Sequence, residues 1–248
     1  MNTKKIHNYI KEITSNVTIC DSKLNTVQHI IPAALLKKFS VQDLEFTHKQ
    51  KNFYTLPERY ARFNRDRADK FLTHVESICF EALNNFIREA PDFYADNPSA
   101  LLNEELFVNS SRKNVIAKFI AKFYVYLASL ILRAPETPEN SPITEKHFLK
   151  ALDSHGLDLE QIEPPYDDAL FRVARLSPYC TKKLAKHLMT LTGTVVINNE
   201  NPFELSESLA TRTNTTDYFL DAEYDVILSP SLKIEFRRKQ QQETTPNP

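Results

Sequence analysis

Glycine is nearly absent from this 248-residue chain, which has only Gly156 and Gly193. Loops that cradle phosphates need several glycines, because a Cβ keeps backbone N–H groups from closing on the ligand. Walker A and Rossmann dinucleotide loops are therefore excluded, and no nucleotide cofactor is expected. The same scarcity removes G-x-S-x-G, and H-E-x-x-H does not occur, so the common hydrolase and metalloprotease signatures are missing. Cysteine is scarce too. Cys20, Cys79 and Cys180 are far apart and never form C-x-x-C, which argues against a disulfide framework and a zinc ribbon. Neither sign of charge dominates, since 31 Lys and Arg face 32 Asp and Glu. No global positive field marks a nucleic-acid binder, although a local basic patch remains compatible with this balance. Long apolar runs are lacking as well: Phe123 to Leu132 is about half the roughly 20 residues that span a bilayer, so it reads as a core helix and no membrane partner is expected. Met1 to Ser15 carries Lys4, Lys5 and Lys11 without an apolar signal region, which makes a cytoplasmic location the expectation.

What is present is an ordinary globular composition, 42% apolar and 25% charged, with strong helical periodicity. Ile6, Tyr9, Ile10 and Ile13 predict a short amphipathic helix over Lys4 to Thr14. Pro32 suits the first turn of a helix whose stripe is Leu35, Leu36 and Phe39, which leaves Gln28 and His29 just outside its N-terminus. Val41 to Asn64 reads as a loop or short-strand region rich in aromatics, with Phe46, Phe53, Tyr54, Tyr60 and Phe63. Asn64 can cap a long helix running to about Glu89, and a second long helix spans about Asn114 to Arg133. Shorter helices are predicted from Thr144 to about Asp153, from Tyr166 to Arg175 and from Thr181 to Thr192. The period then changes, and Thr194 to Asn198 and Tyr224 to Pro230 read as strands. The expected fold is a mainly helical α+β domain, in which two long antiparallel helices form a scaffold for a small C-terminal sheet. In domain terms, residues 1–235 form one unit, helical over 1–193 and β over 194–235, followed by a disordered tail, 236–248.

Several ordered motifs resemble the bacterial domain of unknown function 4238 family. The opening Q-H-x-x-P-x-x-x-L-x-x-F is matched from Gln28 to Phe39, and an F-Y pair by Phe53 and Tyr54. A glutamate in the next helix corresponds to Glu76. R-T-P at the end of a long helix is similar to Arg133-Ala134-Pro135, with alanine in place of threonine. S-D-N-P is similar to Asn199-Glu200-Asn201-Pro202, with glutamate in place of aspartate, and P-L-S-P to Leu228-Ser229-Pro230-Ser231. The likeness covers roughly Val27 to Leu232. Family members occur as antiphage defence genes, so the resemblance implies an effector acting on nucleic acid or translation. Val27-Gln28-His29-Ile30-Ile31-Pro32 also resembles the D-H-I-I-P opening of HNH nucleases, with Gln28 where the metal-binding aspartate stands and without the downstream cysteine segment.

Gln28, His29, Glu76, Arg133, Glu200 and Asn201 all lie at element ends or stripe edges, where polar groups can converge in one cleft. His29 before a helix could act as general base, since the helix dipole favours its neutral form. Glu76 or Glu200 could ligate Mg²⁺ or Mn²⁺ or orient His29, and Arg133 could hold a phosphate. Together they would suit metal-assisted phosphodiester hydrolysis, with Gln28 and Asn201 as binding residues. Structural alternatives stand beside each: Gln28 and His29 as helix caps, Glu76 and Arg133 as an ion pair between the long helices, Asn201-Pro202 as a turn. The function expected is an antiphage effector with metal-dependent nuclease activity. Its rival is a non-enzymatic sensor or adaptor that binds a phage or host protein through Phe46 to Phe63, and an enzyme acting on a nucleotide or a small phosphorylated molecule is a third reading.

Overall fold

The structure is a computed structural model, and it describes residues 2–15, 32–39, 66–107, 113–134, 145–156, 168–204, 208–214 and 222–239. Helix α1, Thr3–Ser15, forms where the apolar spacing predicts it, and Ile6, Ile10 and Ile13 are its buried face. Helix α2, Ala33–Phe39, follows Pro32 directly, and the carbonyl of Pro32 accepts from the N–H of Leu35 at 2.9 Å. Its Leu35 is fully buried.

Helix α3 runs from Asp66 to Phe93, past the expected end near Glu89 and through Pro91. A proline in the last turn loses one hydrogen bond, to the carbonyl four residues back. Burial of Ala90 and Tyr94 on either side, with the N–H of Tyr94 donating to Ala90 at 2.9 Å, offsets that loss. Phe71, Leu72, Val75, Cys79, Ala82, Leu83 and Phe86 recur at three- and four-residue spacing and are buried. Helix α4, Lys113–Arg133, packs against α1 and α3. From Ile120 to Arg133 it is buried almost all round, with only Lys122 and Tyr124 partly exposed. By length and composition Val115–Arg133 could cross a membrane, and 67% of that stretch is buried inside the fold, as in a core helix.

Helix α5, Glu145–Ser154, and helix α6, Asp168–Arg175, fall close to expectation. Helix α7 is shifted from the expected 181–192 to Pro178–Leu188. Ser177 caps it, its hydroxyl accepting from the N–H of Cys180 at 3.1 Å, and Pro178 takes the first turn, where its missing N–H costs nothing. The helix ends at Leu188, where the N–H of Thr190 donates to the carbonyl of His187 at 2.8 Å in a closing turn before the strand that starts at Thr192.

The sheet is antiparallel, and its five strands are β1 Ser99–Leu101, β2 Thr192–Ile197, β3 Ala210–Arg212, β4 Tyr224–Ser229 and β5 Leu232–Arg237, in spatial order β1-β2-β5-β4-β3. Only β2 and β4 are expected from sequence. The central strand β5 includes Phe236 and Arg237, so the expected tail begins inside the sheet. Leu232, Ile234 and Phe236 alternate with Lys233, Glu235 and Arg237, and the apolar set is fully buried. Charge hid this period-2 signal. On the other face, Asp225 sits opposite Glu235, and Lys233 and Arg237 bridge the two carboxylates, with Lys233 Nζ 2.6 Å from Glu235. Strand β1 lies within the part expected to be helical, 1–193, so the sheet draws on both parts of the chain.

Candidate functional site

Glu76 follows the fully buried Val75 and stands one turn before Phe80, on the edge of α3 that meets α4. On α4, Tyr126 and Arg133 are two turns apart and so share a stripe. The two stripes meet. Arg133 Nη2 lies 2.7 Å from Glu76 Oε1, with the arginine side chain 1% and the glutamate side chain 37% exposed. Arg133 ends its helix, where the dipole favours a cation. Nη2 and Nε are buried and neither has a hydrogen-bond acceptor with good geometry, so at Nη2 the contact is a charge pairing rather than an aligned hydrogen bond.

Tyr126 is buried beside this pair, its ring tilted on Phe80 at 5.9 Å. Burial raises its pKa, the negative charge of Glu76 raises it further, and Arg133 opposes both. It stays a phenol. Cys79 is fully buried nearby, and burial pushes its thiol up to about 12. Tyr126 was not singled out from sequence, although its seven-residue spacing from Arg133 carries the signal.

Glu200 and Asn201 fall in the turn after β2, with both side chains exposed. The N–H of Asn201 donates to Asn198 Oδ1 at 3.0 Å, and the turn is tied to the β4–β5 connection by Asn198 to Ser231 at 3.0 Å and Phe203 to Pro230 at 2.6 Å. Glu200 makes no ion pair among the described residues. Of the six candidates, therefore, Glu76 and Arg133 are brought into contact. Gln28 and His29 lie outside the described residues, as do Phe53, Tyr54 and the aromatic segment 46–63.

Four of the described histidines have structural partners. His74 Nε2 is 3.1 Å from the carbonyl of Ile13, His155 Nε2 3.0 Å from that of Val173, His187 Nε2 2.9 Å from that of Ala222, and His147 Nδ1 2.7 Å from the hydroxyl of Tyr179. Among the described residues no group of three His, Cys, Asp or Glu side chains gathers to hold a metal. A cavity of about 200 Å³ opens elsewhere, between α3, α4 and the 3-10 turn Glu104–Phe107, and none of the candidate residues lines it. No family model, curated protein or solved structure matches this chain.

Proposed function

We propose that this protein is a cytoplasmic antiphage effector whose working site is a polar cleft around Glu76 and Arg133 and whose target is a phosphodiester of DNA or RNA. One observation carries the reading: a guanidinium whose side chain is 1% exposed has no acceptor at Nε and meets Glu76 at Nη2 only as a charge contact, beside a carboxylate that is 37% exposed. A buried cation is costly unless its donors are used, and phosphate oxygens match the guanidinium fork. Tyr126, held neutral by burial and by Glu76, adds an O–H donor. Under this reading Arg133 holds and neutralises the phosphate, Gln28 and Asn201 contact substrate, and His29 takes a proton from the attacking water. Glu76 and Glu200 offer carboxylates to Mg²⁺ or Mn²⁺, which when bound would polarise a phosphoryl oxygen. The phosphate-holding role of Arg133 does not depend on the cation. Helices α3 and α4 serve as the antiparallel scaffold. Pairings that climb α3 while descending α4 support this: Glu76 with Arg133, Phe80 with Tyr126, Phe86 with Phe123.

The test is incubation of purified protein with DNA and with RNA in Mg²⁺, Mn²⁺ or EDTA. Metal-dependent cleavage, lost in His29→Ala and in Arg133→Met, is the expected result. If neither polymer is cut, and both variants protect cells from phage as the parent does, the proposal fails. A sensor or adaptor acting through segment 46–63 then takes its place, and Tyr54→Ala and Phe63→Ala would abolish protection.

A further inference from the structure

A second electropositive feature lies away from the Glu76–Arg133 pair, where α1 packs against α7. Ile6, Ile10 and Ile13 turn the apolar face of α1 inward, which leaves His7 and Lys11, one turn apart, along its edge. On α7, Lys182 and Lys186 are likewise one turn apart, and Lys183 stands beside them. The edges adjoin: Lys182 feels the charges of Lys186, Lys11 and Lys183, and His7 feels that of Lys186. Among the described residues none of Lys11, Lys182, Lys183 and Lys186 forms an ion pair. Helix α7 contains no acid and α1 only Glu12. His7 Nε2 is buried and has no hydrogen-bond partner. In a chain of net charge -1 this is a local concentration of one sign, and it persists although the groups repel one another.

We propose that the α1–α7 face is a docking surface for the phosphate backbone of a nucleic acid. Four lysine ammoniums with no acid partner are point charges suited to phosphates spaced along a chain, and they position a polymer without reading its bases. Charge complementarity favours this partner over a lipid surface. A membrane-binding helix presents apolar side chains next to its lysines, whereas the isoleucines of α1 are committed to the core and, among the described residues, the exposed large apolar ones, Phe93 and Leu101, belong to α3 and β1. The surface does not rest on the catalytic reading of Arg133, because it requires binding and not cleavage.

The experiment is fluorescence anisotropy of labelled single-stranded RNA, single-stranded DNA and duplex DNA against the full chain over a salt series. The parent should bind with an affinity that falls steeply as salt rises. Lys182→Gln/Lys186→Gln should weaken binding about tenfold or more and flatten the logarithmic salt slope by about two. This double variant relieves repulsion, so loss of folding does not confuse the result, and circular dichroism verifies the fold. Lys150→Gln, an exposed change on α5, should bind like the parent. Which polymer binds most tightly distinguishes RNA from DNA. Absence of binding to all three polymers at low salt overturns the proposal. So does parental affinity and slope in the double variant, or binding confined to vesicles of anionic phospholipid.

Discussion

Arg133 Nη2 sits 2.7 Å from Glu76 Oε1, yet one side chain is 1% exposed and the other 37%. The cation is inside the protein and its counter-charge stands at the surface. This asymmetry makes the pair testable as structure and as site.

Removing the carboxylate leaves a buried charge without compensation, which costs more than removing both charges. Glu76→Gln should destabilise by about 1–3 kcal/mol, less than for a fully buried pair because water already screens Glu76. Arg133→Met, which replaces the guanidinium with an apolar chain, should stay within about 1 kcal/mol of the parent. Combining the two should recover most of the loss. Urea unfolding of the three variants measures this, and equal stability of Glu76→Gln and parent would mean that the charges are not coupled.

Gly193 in β2 is held by neighbours rather than by backbone angle. A Cβ built there would meet Leu102 Cβ at 3.2 Å and Phe236 Cε1 at 3.4 Å, while the N–H of Leu102 donates to the Gly193 carbonyl at 2.8 Å. Gly193→Val overpacks this contact and should cost about 1–3 kcal/mol. Leu102→Ala in the same chain removes the Cδ2 contact at 3.3 Å but keeps the Cβ, so it should return only part of that cost. Thermal unfolding of the single and double variants gives the answer, and a Gly193→Val protein as stable as the parent would contradict the packing.

Burial pushes the thiols of Cys79 and Cys180 up to about 12, so at pH 8 neither supplies a useful fraction of thiolate. A disulfide reagent should therefore modify at most one cysteine in the folded protein and all three after denaturation. Fast labelling of more than one thiol in the native state would refute this.

His7 should make stability fall as the pH is lowered. Burial first, and Lys186 second, depress its folded pKa below the ordinary 6.5, so between the two values the unfolded chain holds more protons. Stability from this group is intact above 6.5, declines as the pH drops through that window, and levels off below the folded pKa. His7→Gln should flatten this part of the unfolding curve. Lys186→Gln should raise the His7 pKa, read by NMR titration. A His7 that titrates at or above 6.5 in the parent would contradict this effect of burial and Lys186.

Much of the fold was legible in the chain. The helices follow from apolar residues recurring at three and four, and α1, α3 and α4 lie where that period puts them, because burying one stripe is a local demand on sequence. β2 and β4 are legible as β-branched runs. β5 was not, since Lys233, Glu235 and Arg237 lead into a polar terminus and mask the alternation of Leu232, Ile234 and Phe236. β1 and β3 are too short to carry a period at all. For the site, sequence placed Glu76 on a stripe edge and Arg133 at a helix end, and left open whether they bind a ligand or each other.

The sequence by itself determined which faces of these helices are apolar, that no glycine-rich phosphate loop exists, and that acids and bases nearly cancel. Tertiary structure alone decided that Arg133 is buried against Glu76 with its Nε unpartnered, that Tyr126 shuts in beside them, and that lysines from the two ends of the helical region gather on one surface. The physical reason is that periodicity reports a demand for burial, which each segment carries alone, whereas charge pairing depends on distances between segments that only packing sets.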